Sequence, residues 1–314
     1  MIDIVIVNWN SGNLIHSCIN SITDNGIEYV KQIIVVDNGS SDNSETLIED
    51  FPKVLLIRNN VNLGFGKSCN IGAKYANSDF ILFLNPDTVI YPYTIERIIK
   101  YMIDPRQVHV GIAGVQLLDV EGNISRHSSE FPSSLHYLGR AMGLHKKFYY
   151  FDHIMTDWDH TETRKVDHVI GAFFFVRKSL FEELEGFDER FFVYLEDVDF
   201  SYRAKKIGWL THYYAGAQSM HIAGGTSSKV KARRLFYSLR SRILYCYKHF
   251  SLIEATSILL VILFFEPIPR FFQAIYQGSY QTLKDIFSAF LLLWFWLPSW
   301  IFNLKKNSIN TDVN

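Results

Sequence analysis

The chain has 314 residues, enough to bury one large core or two smaller ones. Its 31 basic and 32 acidic side chains nearly cancel, which excludes non-specific nucleic-acid binding as the main task. Cys18, Cys69 and Cys246 are too few for a disulfide framework and lack metal-ligand spacing, so a reduced, cytosolic compartment is expected.

Met1 to Val7 carries Asp3 and turns polar at Asn8. It reads as a first strand and not as a signal peptide, because it lacks a basic start and a long apolar run. Leu14, Cys18 and Ile22 recur at helical spacing, and Asn25-Gly26 stops that helix. Ile33 to Val36 is a second buried strand ending at Asp37. The turn Asn38 to Asp42 is expected to cap a helix through about Asp50. Val54 to Ile57 is a third strand. The Gly- and Asn-rich turn Asn59 to Gly66 leads to a helix ending near Ala76, and Phe80 to Leu84 is a fourth strand. Apolar strands alternating with helices predict an α/β fold with a mostly parallel sheet covered on both faces. Ligands bind such sheets beyond the carboxyl ends of the strands, where Asn8, Asp37, Gly64 and Asp87 fall.

Glu121-Gly122-Asn123 reads as a hairpin turn. Ser125 to Trp158 lacks clean periodicity and reads as a variable connection that could shape an acceptor pocket. A strand from Val166 to Val176 is expected next. A helix with Leu180, Phe181 and Leu184 follows and stops at Gly186. Residues 197 to 207 form another helix, stopped by Gly208, and a strand from Trp209 leads to His221 and Gly224-Gly225-Thr226-Ser227. From Val230 the composition changes. A helix rich in Arg and Tyr opens the tail. Two uncharged stretches follow, Ala255 to Phe265 and Ile286 to Phe302, the second interrupted by Pro298. The first is too short to span a bilayer alone, and the second is borderline against the ~20 residues a spanning helix needs. The division expected is a catalytic region over 1–228, with a nucleotide-binding half at 1–115 and an acceptor-binding half at 116–228, then a helical tail over 229–314.

The side chains that could carry chemistry cluster at strand ends. Asn8 and Asn10 follow the first strand, where an amide could bond a base or ribose or simply shape a turn. Asp37 could accept from the imide N–H of a pyrimidine or cap a turn. Gly64 and Gly66, with Asn70, allow close backbone approach to a ligand, and a tight structural turn is the other reading. In Asn85-Pro86-Asp87 the proline steers Asn85 away from helix and places the Asp87 carboxylate at the strand end. A hard divalent cation carrying phosphates wants such an oxygen ligand. Glu196, Asp197 and Asp199 crowd three carboxylates into a helix start. The helix dipole favours the anions while mutual repulsion raises at least one pKa, the tuning a general base needs. His221 could complete a metal site with Asp87.

Together these motifs resemble the family 2 inverting glycosyltransferases with a GT-A fold, in particular the bacterial rhamnosyltransferases of surface-polysaccharide assembly. The matching text is Val7-Asn8-Trp9-Asn10, Val35 to Ser40, Asn62 to Gly66 with Asn70, Phe83 to Asp87, Gly186 to Phe192, Glu196 to Asp199 through Arg203, and His221. The resemblance implies that Asp37 holds the pyrimidine, that Asp87 and His221 bind Mg²⁺ or Mn²⁺, and that Asp197 is the base supported by Glu196 and Asp199. The usual Asp-x-Asp is Asn85-Pro86-Asp87 here. Gly171 and Ala172 are expected to leave space for a sugar ring. The implied reaction moves a sugar, L-rhamnose first, from a nucleotide-diphosphate donor to a lipid-linked or saccharide acceptor. The tail would bring the enzyme to the cytoplasmic face of the bacterial inner membrane, peripherally or through a hydrophobic anchor. Nucleic acid is not an expected partner. Two other readings are a catalytically inactive membrane-bound scaffold and a nucleotidyltransferase. The second usually needs a basic Gly-rich loop after strand one, and Asn8 to Gly12 has no basic residue.

Overall fold

A computed structural model describes all residues except 145–147, 149, 151–152, 156–157, 223–229 and 312–314; for 303–311 only the backbone is described. The Gly224 to Ser227 turn of the sequence reading lies outside the described residues, as do the side chains of Lys305 and Lys306. Two compact units are present, Met1–Ser133 with Asp152–Thr226, and Ser134–Phe151 with Ser227–Asn314. The segment 134–151 thus belongs with the C-terminal helices, although its place in the sequence put it in the acceptor-binding half.

The first unit is built on a sheet whose strands lie in the order β3-β2-β1-β4-β8-β6-β9-β5, with β7 paired to β9. The strands are β1 (Ile2–Asn8), β2 (Val30–Asn38), β3 (Val54–Asn59), β4 (Phe80–Leu84), β5 (Thr88–Ile90), β6 (Val110–Leu118), β7 (Arg164–Val166), β8 (Phe173–Arg177) and β9 (Leu210–His221). The expected parallel arrangement holds for β1 to β4. It gives way to a mixed sheet where β8 joins β4 and β6 antiparallel. Residues of β1, β2 and β4 are buried on both faces, which explains their continuous apolar runs. On one face Ile4, Ile6, Ile33, Val35 and Leu82 meet Ile15 and Ile19 of helix α1 (Asn13–Gly26). The alternate residues Val5, Ile34, Val36 and Phe83 meet Cys69 of α2 (Phe65–Ala73) on the other face. Asp3, the polar exception in β1, is buried and accepts the backbone N–H of Asn77 at 2.5 Å and of Ser78 at 2.7 Å. It therefore caps the turn that feeds β4.

Two expected elements differ. The helix through Asp50 shrinks to one 3₁₀ stretch, Ser44–Ile48, entered by Asn43 in the left-handed region. Ser and Asn side chains compete with helix by bonding the local backbone. The expected strand from Val166 to Val176 is split into β7 and β8, and the turn between them carries Gly171. This unit also holds α3 (Thr94–Ile103), α5 (Lys178–Glu183) and α6 (Glu196–Lys206), whereas α4 (Ser134–Ala141) lies in the second unit.

The second unit adds α7 (Lys231–His249), α8 (Leu252–Phe264), α9 (Pro267–Tyr276) and α10 (Tyr280–Thr311). Ser251 and Glu254 form a reciprocal capping box at the start of α8. Pro267 occupies the first turn of α9, where its missing N–H costs nothing. Pro298 lies inside α10 without ending it. Two stretches, Leu252–Tyr276 and Tyr280–Phe302, are long and apolar enough to cross a membrane.

Candidate active site

β1, β2 and β4 run parallel, so Asn8, Asp37 and the Asn85 to Asp87 turn emerge at one edge of the sheet. Asn8 is fully buried. Its amide donates to Asp37 Oδ1 at 2.9 Å, Ser44 Oγ at 2.8 Å and Ser40 Oγ at 3.3 Å, and its carbonyl accepts from the Ser11 hydroxyl. Asn8 therefore sets Asp37 instead of facing a ligand directly. Asp37 also accepts the Ser40 N–H at 3.1 Å. Asn10, in the left-handed region, holds the same loop through Ser41 N–H at 2.7 Å.

The glycine turn is tied to this loop by Asn38. Its amide donates to Asn62 Oδ1 at 2.9 Å and to the Gly64 carbonyl at 3.2 Å, while its own oxygen accepts the Leu63 N–H at 2.9 Å. Gly64 has φ of 91°, and a Cβ there would strike the Phe192 carbonyl. That same carbonyl accepts the Phe65 N–H at 2.6 Å. The space on the Cβ side of Gly64 is thus taken by the loop before α6, an arrangement in keeping with the tight-turn reading. Asn70 is likewise spent internally: it donates to the Phe187 carbonyl at 2.8 Å and accepts the Phe187 N–H at 2.9 Å. Both residues dock the Gly186 to Tyr194 loop against α2 and the turn before it.

That loop ends in Tyr194 and Leu195, consecutive residues at φ of 71° and 68°. Non-glycine residues in this region carry strain that surrounding structure must hold. The strain directs the start of α6. Three carboxylates follow, with three different surroundings. Asp199 is fully buried and paired with Arg203 at 2.8 Å, and Arg203 also donates to the Leu184 and Gly186 carbonyls. It is a structural strut. Glu196 is buried, and its Oε2 has no hydrogen-bond partner. Burial and then the adjacent Asp197 charge hold its carboxyl well above the usual carboxylate range. Asp197 is half-buried; it accepts the Gly171 N–H at 2.8 Å and the Val198 N–H at 2.8 Å.

The residue after Gly171 completes the assembly. The Ala172 carbonyl accepts the Asn85 N–H at 3.1 Å and the Thr88 hydroxyl at 3.3 Å. Two consecutive residues therefore join Asp197 to the turn that carries Asp87. Across the β5–β9 pair Thr88 lies opposite His221, and His221 Nε2 stands 3.3 Å from Asp87 Oδ1. Both are mostly buried, at 13% and 12% exposed. This carboxylate–imidazole pair fits a divalent cation that keeps most of its coordination for phosphate oxygens. Among the described residues no group of three metal-ligating side chains forms. His168 lies beneath, 3.0 Å from the Ser129 hydroxyl; burial pushes its imidazole down, against the pull of Asp197.

The sequence reading missed the part played by Asn38, seen only as a turn residue, and by the backbone of Gly171 and Ala172. Asn-Gly offered no cue beyond a turn, and no side-chain signal marks a peptide N–H. The strain at Tyr194 and Leu195 has no signal in residue type.

Residues 3–185 match the family model described as glycosyl transferase family 2. The chain is 26% identical to the rhamnosyltransferase WbbL of Escherichia coli K12 over 254 residues, 78% of this chain and 92% of that one. It is 26% identical to an N-acetylglucosaminyl-diphospho-decaprenol L-rhamnosyltransferase of Mycobacterium tuberculosis, over 65% of this chain and 70% of that one. Among solved structures it resembles the mannosyltransferase PcManGT of Pyrobaculum calidifontis, determined with GDP-Man and Mn²⁺. The TM-score is 0.53 at 14% identity, covering 91% of this chain and 73% of that one. The mixed sheet with flanking helices is the GT-A fold. The chain belongs to glycosyl transferase family 2 and is a glycosyltransferase of rhamnosyltransferase-like type.

Proposed function

We propose that the protein transfers a sugar with inversion, L-rhamnose in the first instance, from a nucleotide-diphosphate donor. The acceptor is a lipid-linked or saccharide glycan in the assembly of a surface polysaccharide. The names of the two relatives support the sugar and the acceptor class. One observation carries the chemistry: Gly171 and Ala172 tie the Asp197 carboxylate to the turn bearing Asp87.

In this reading Asp197 takes the proton from the acceptor hydroxyl, and the Gly171 and Val198 N–H groups fix the direction of its carboxylate. The freed oxygen attacks the anomeric carbon on the face opposite the diphosphate, so the configuration inverts. Glu196, whose carboxyl burial and the adjacent Asp197 push well above the usual range, favours its neutral form beside the base. Asp37, set by Asn8 and Ser40, holds the imide N–H of the pyrimidine. Mg²⁺ or Mn²⁺ held by Asp87 and His221 would neutralise charge on the leaving diphosphate. Asn10, Gly64 and Asn70 act on the donor site through the loops they hold. The apolar C-terminal stretches bring the enzyme to the cytoplasmic face of the bacterial inner membrane, where a lipid-linked acceptor resides.

The test supplies purified protein with a lipid-linked acceptor and a panel of nucleotide sugars, with Mg²⁺ or Mn²⁺ and then with chelator. Release of nucleotide diphosphate from the dTDP-rhamnose donor, lost with chelator and in Asp87→Ala, is expected. Silence with every donor in the presence of acceptor would sink the reading.

A further inference from the structure

The stretch Leu252–Tyr276 has the length and apolarity of a membrane span, yet its interior contains a charge network. It is broken into α8, about 20 Å long, and α9, about 15 Å long, with Glu266 and Pro267 at the break. Phe265 and Glu266 keep right-handed helical dihedrals, so the interruption is a kink, and the charges at it decide its placement. Glu266 is 1% exposed and lies close to the midpoint of the stretch. Arg242 grips it with two bonds, at 2.9 and 3.0 Å, and Arg270 adds two more, at 3.1 and 2.6 Å.

Arg242 belongs to α7, which also carries Lys231, Arg233, Arg234, Arg240 and Lys248. Lys231, Arg233 and Arg234 are exposed. A helix with that many cations belongs at the level of lipid headgroups, not in hydrocarbon. The ion pair fixes the midpoint of 252–276 at the depth of α7. Arg240 lies 5.5 Å from the Trp296 ring centroid, so α10 also meets α7 through a residue type enriched at membrane interfaces. The stretch nevertheless exposes Ile253, Phe265, Phe272 and Ile275, at 81%, 57%, 69% and 61%. Apolar exposure on this scale, beside exposed cations, complements an anionic lipid surface.

We infer that residues 252–276 do not cross the bilayer: the Arg242–Glu266–Arg270 network holds them as a kinked helix lying in one leaflet, apolar side chains inward. The inference rests on the membrane association proposed above. The experiment keeps the two separate. Full-length protein with single cysteines at Leu252→Cys and Gln277→Cys, both exposed sites, is expressed in bacteria, and sealed membrane vesicles of one orientation are floated. A membrane-impermeant maleimide is added before and after detergent. Cys18, Cys69 and Cys246 are buried, and the unaltered chain serves as the blank. The expected result is that the protein floats and that both positions respond alike, on the same side of the vesicle. Labelling of one position in sealed vesicles and of the other only after detergent would overturn the inference and leave membrane association intact. Failure to float would remove both, and concentration-dependent self-association in solution would then assign the apolar face to a second copy of the chain.

Discussion

The two ends of the candidate site handle buried polar groups in opposite ways. Around Asp37 the groups satisfy one another: Asn8, Ser40 and Ser44 on one side, and Asn38, Asn59 and Asn62 on the other. At the start of α6 a buried carboxyl oxygen goes unbonded, and two bulky residues sit in left-handed conformations. A satisfied network is rigid and specifies one loop geometry. A frustrated one stores strain and shifted proton affinity where charge must move during reaction. In the function proposed above, the contrast separates residues that would shape the donor site from residues that would react.

The largest effect expected is on Asp197. Asp197→Asn keeps the size of the side chain and removes the base, so kcat should fall by about 10²–10⁴-fold with little change in thermal stability. A loss of stability with kcat intact would assign Asp197 to the scaffold and break the contrast. Next is Asn38→Ala, which strands the Leu63 N–H and the Gly64 carbonyl. Denaturant unfolding should show a loss of about 2–3 kcal/mol. An unchanged midpoint would mean that the loop network contributes nothing to the fold.

Glu196 gives a pH signature. Its folded-state pKa lies above the ordinary 4.5, so between the two values the folded state holds a proton that the unfolded state has lost. The stability from this group is present below the ordinary value and is lost as pH rises toward the folded value, by about 1.4 kcal/mol per pH unit. Glu196→Gln should flatten that slope. Wild-type and variant stabilities should coincide at the acid end and diverge in the variant's favour above it; parallel curves would show that Glu196 is ionised in the fold. The smallest effect is at Leu195→Gly, where relief of the left-handed conformation should raise stability by about 1 kcal/mol while lowering turnover. A variant that is both less stable and fully active would mean that no strain is stored there.

Much of this was legible in the chain. Apolar runs such as Ile33 to Val36 gave β2 because full burial on both faces needs no alternation. Asp37, Asp87, Asp197 and His221 stood out in the sequence because each follows or precedes a strong element boundary, and the fold places them at the strand ends and helix start expected. Gly64 and Asn70 were open to two readings, ligand approach or a tight structural turn, because residue type does not show what fills the space; in the fold Phe192 lies against Gly64 and Asn70 bonds Phe187. The order β4-β8-β6 and the break in the expected strand at Asp167 to Ala172 were not legible. They depend on long-range pairing, and the bulky apolar Phe173 to Val176 disguises where the strand begins. α9 was not expected, and Pro267 and Pro269 both sit in its first helical turn.

The link through Gly171 and Ala172 has a mechanical consequence. The Asp197 carboxylate and the turn bearing Asp87 are referenced to one short piece of main chain, not to separate loops. A displacement of that piece moves both partners together, so fluctuations that would change their spacing are damped at the source. If the proposed roles hold, changes in the loops around this piece would leave the spacing between Asp197 and Asp87 set by the same two residues.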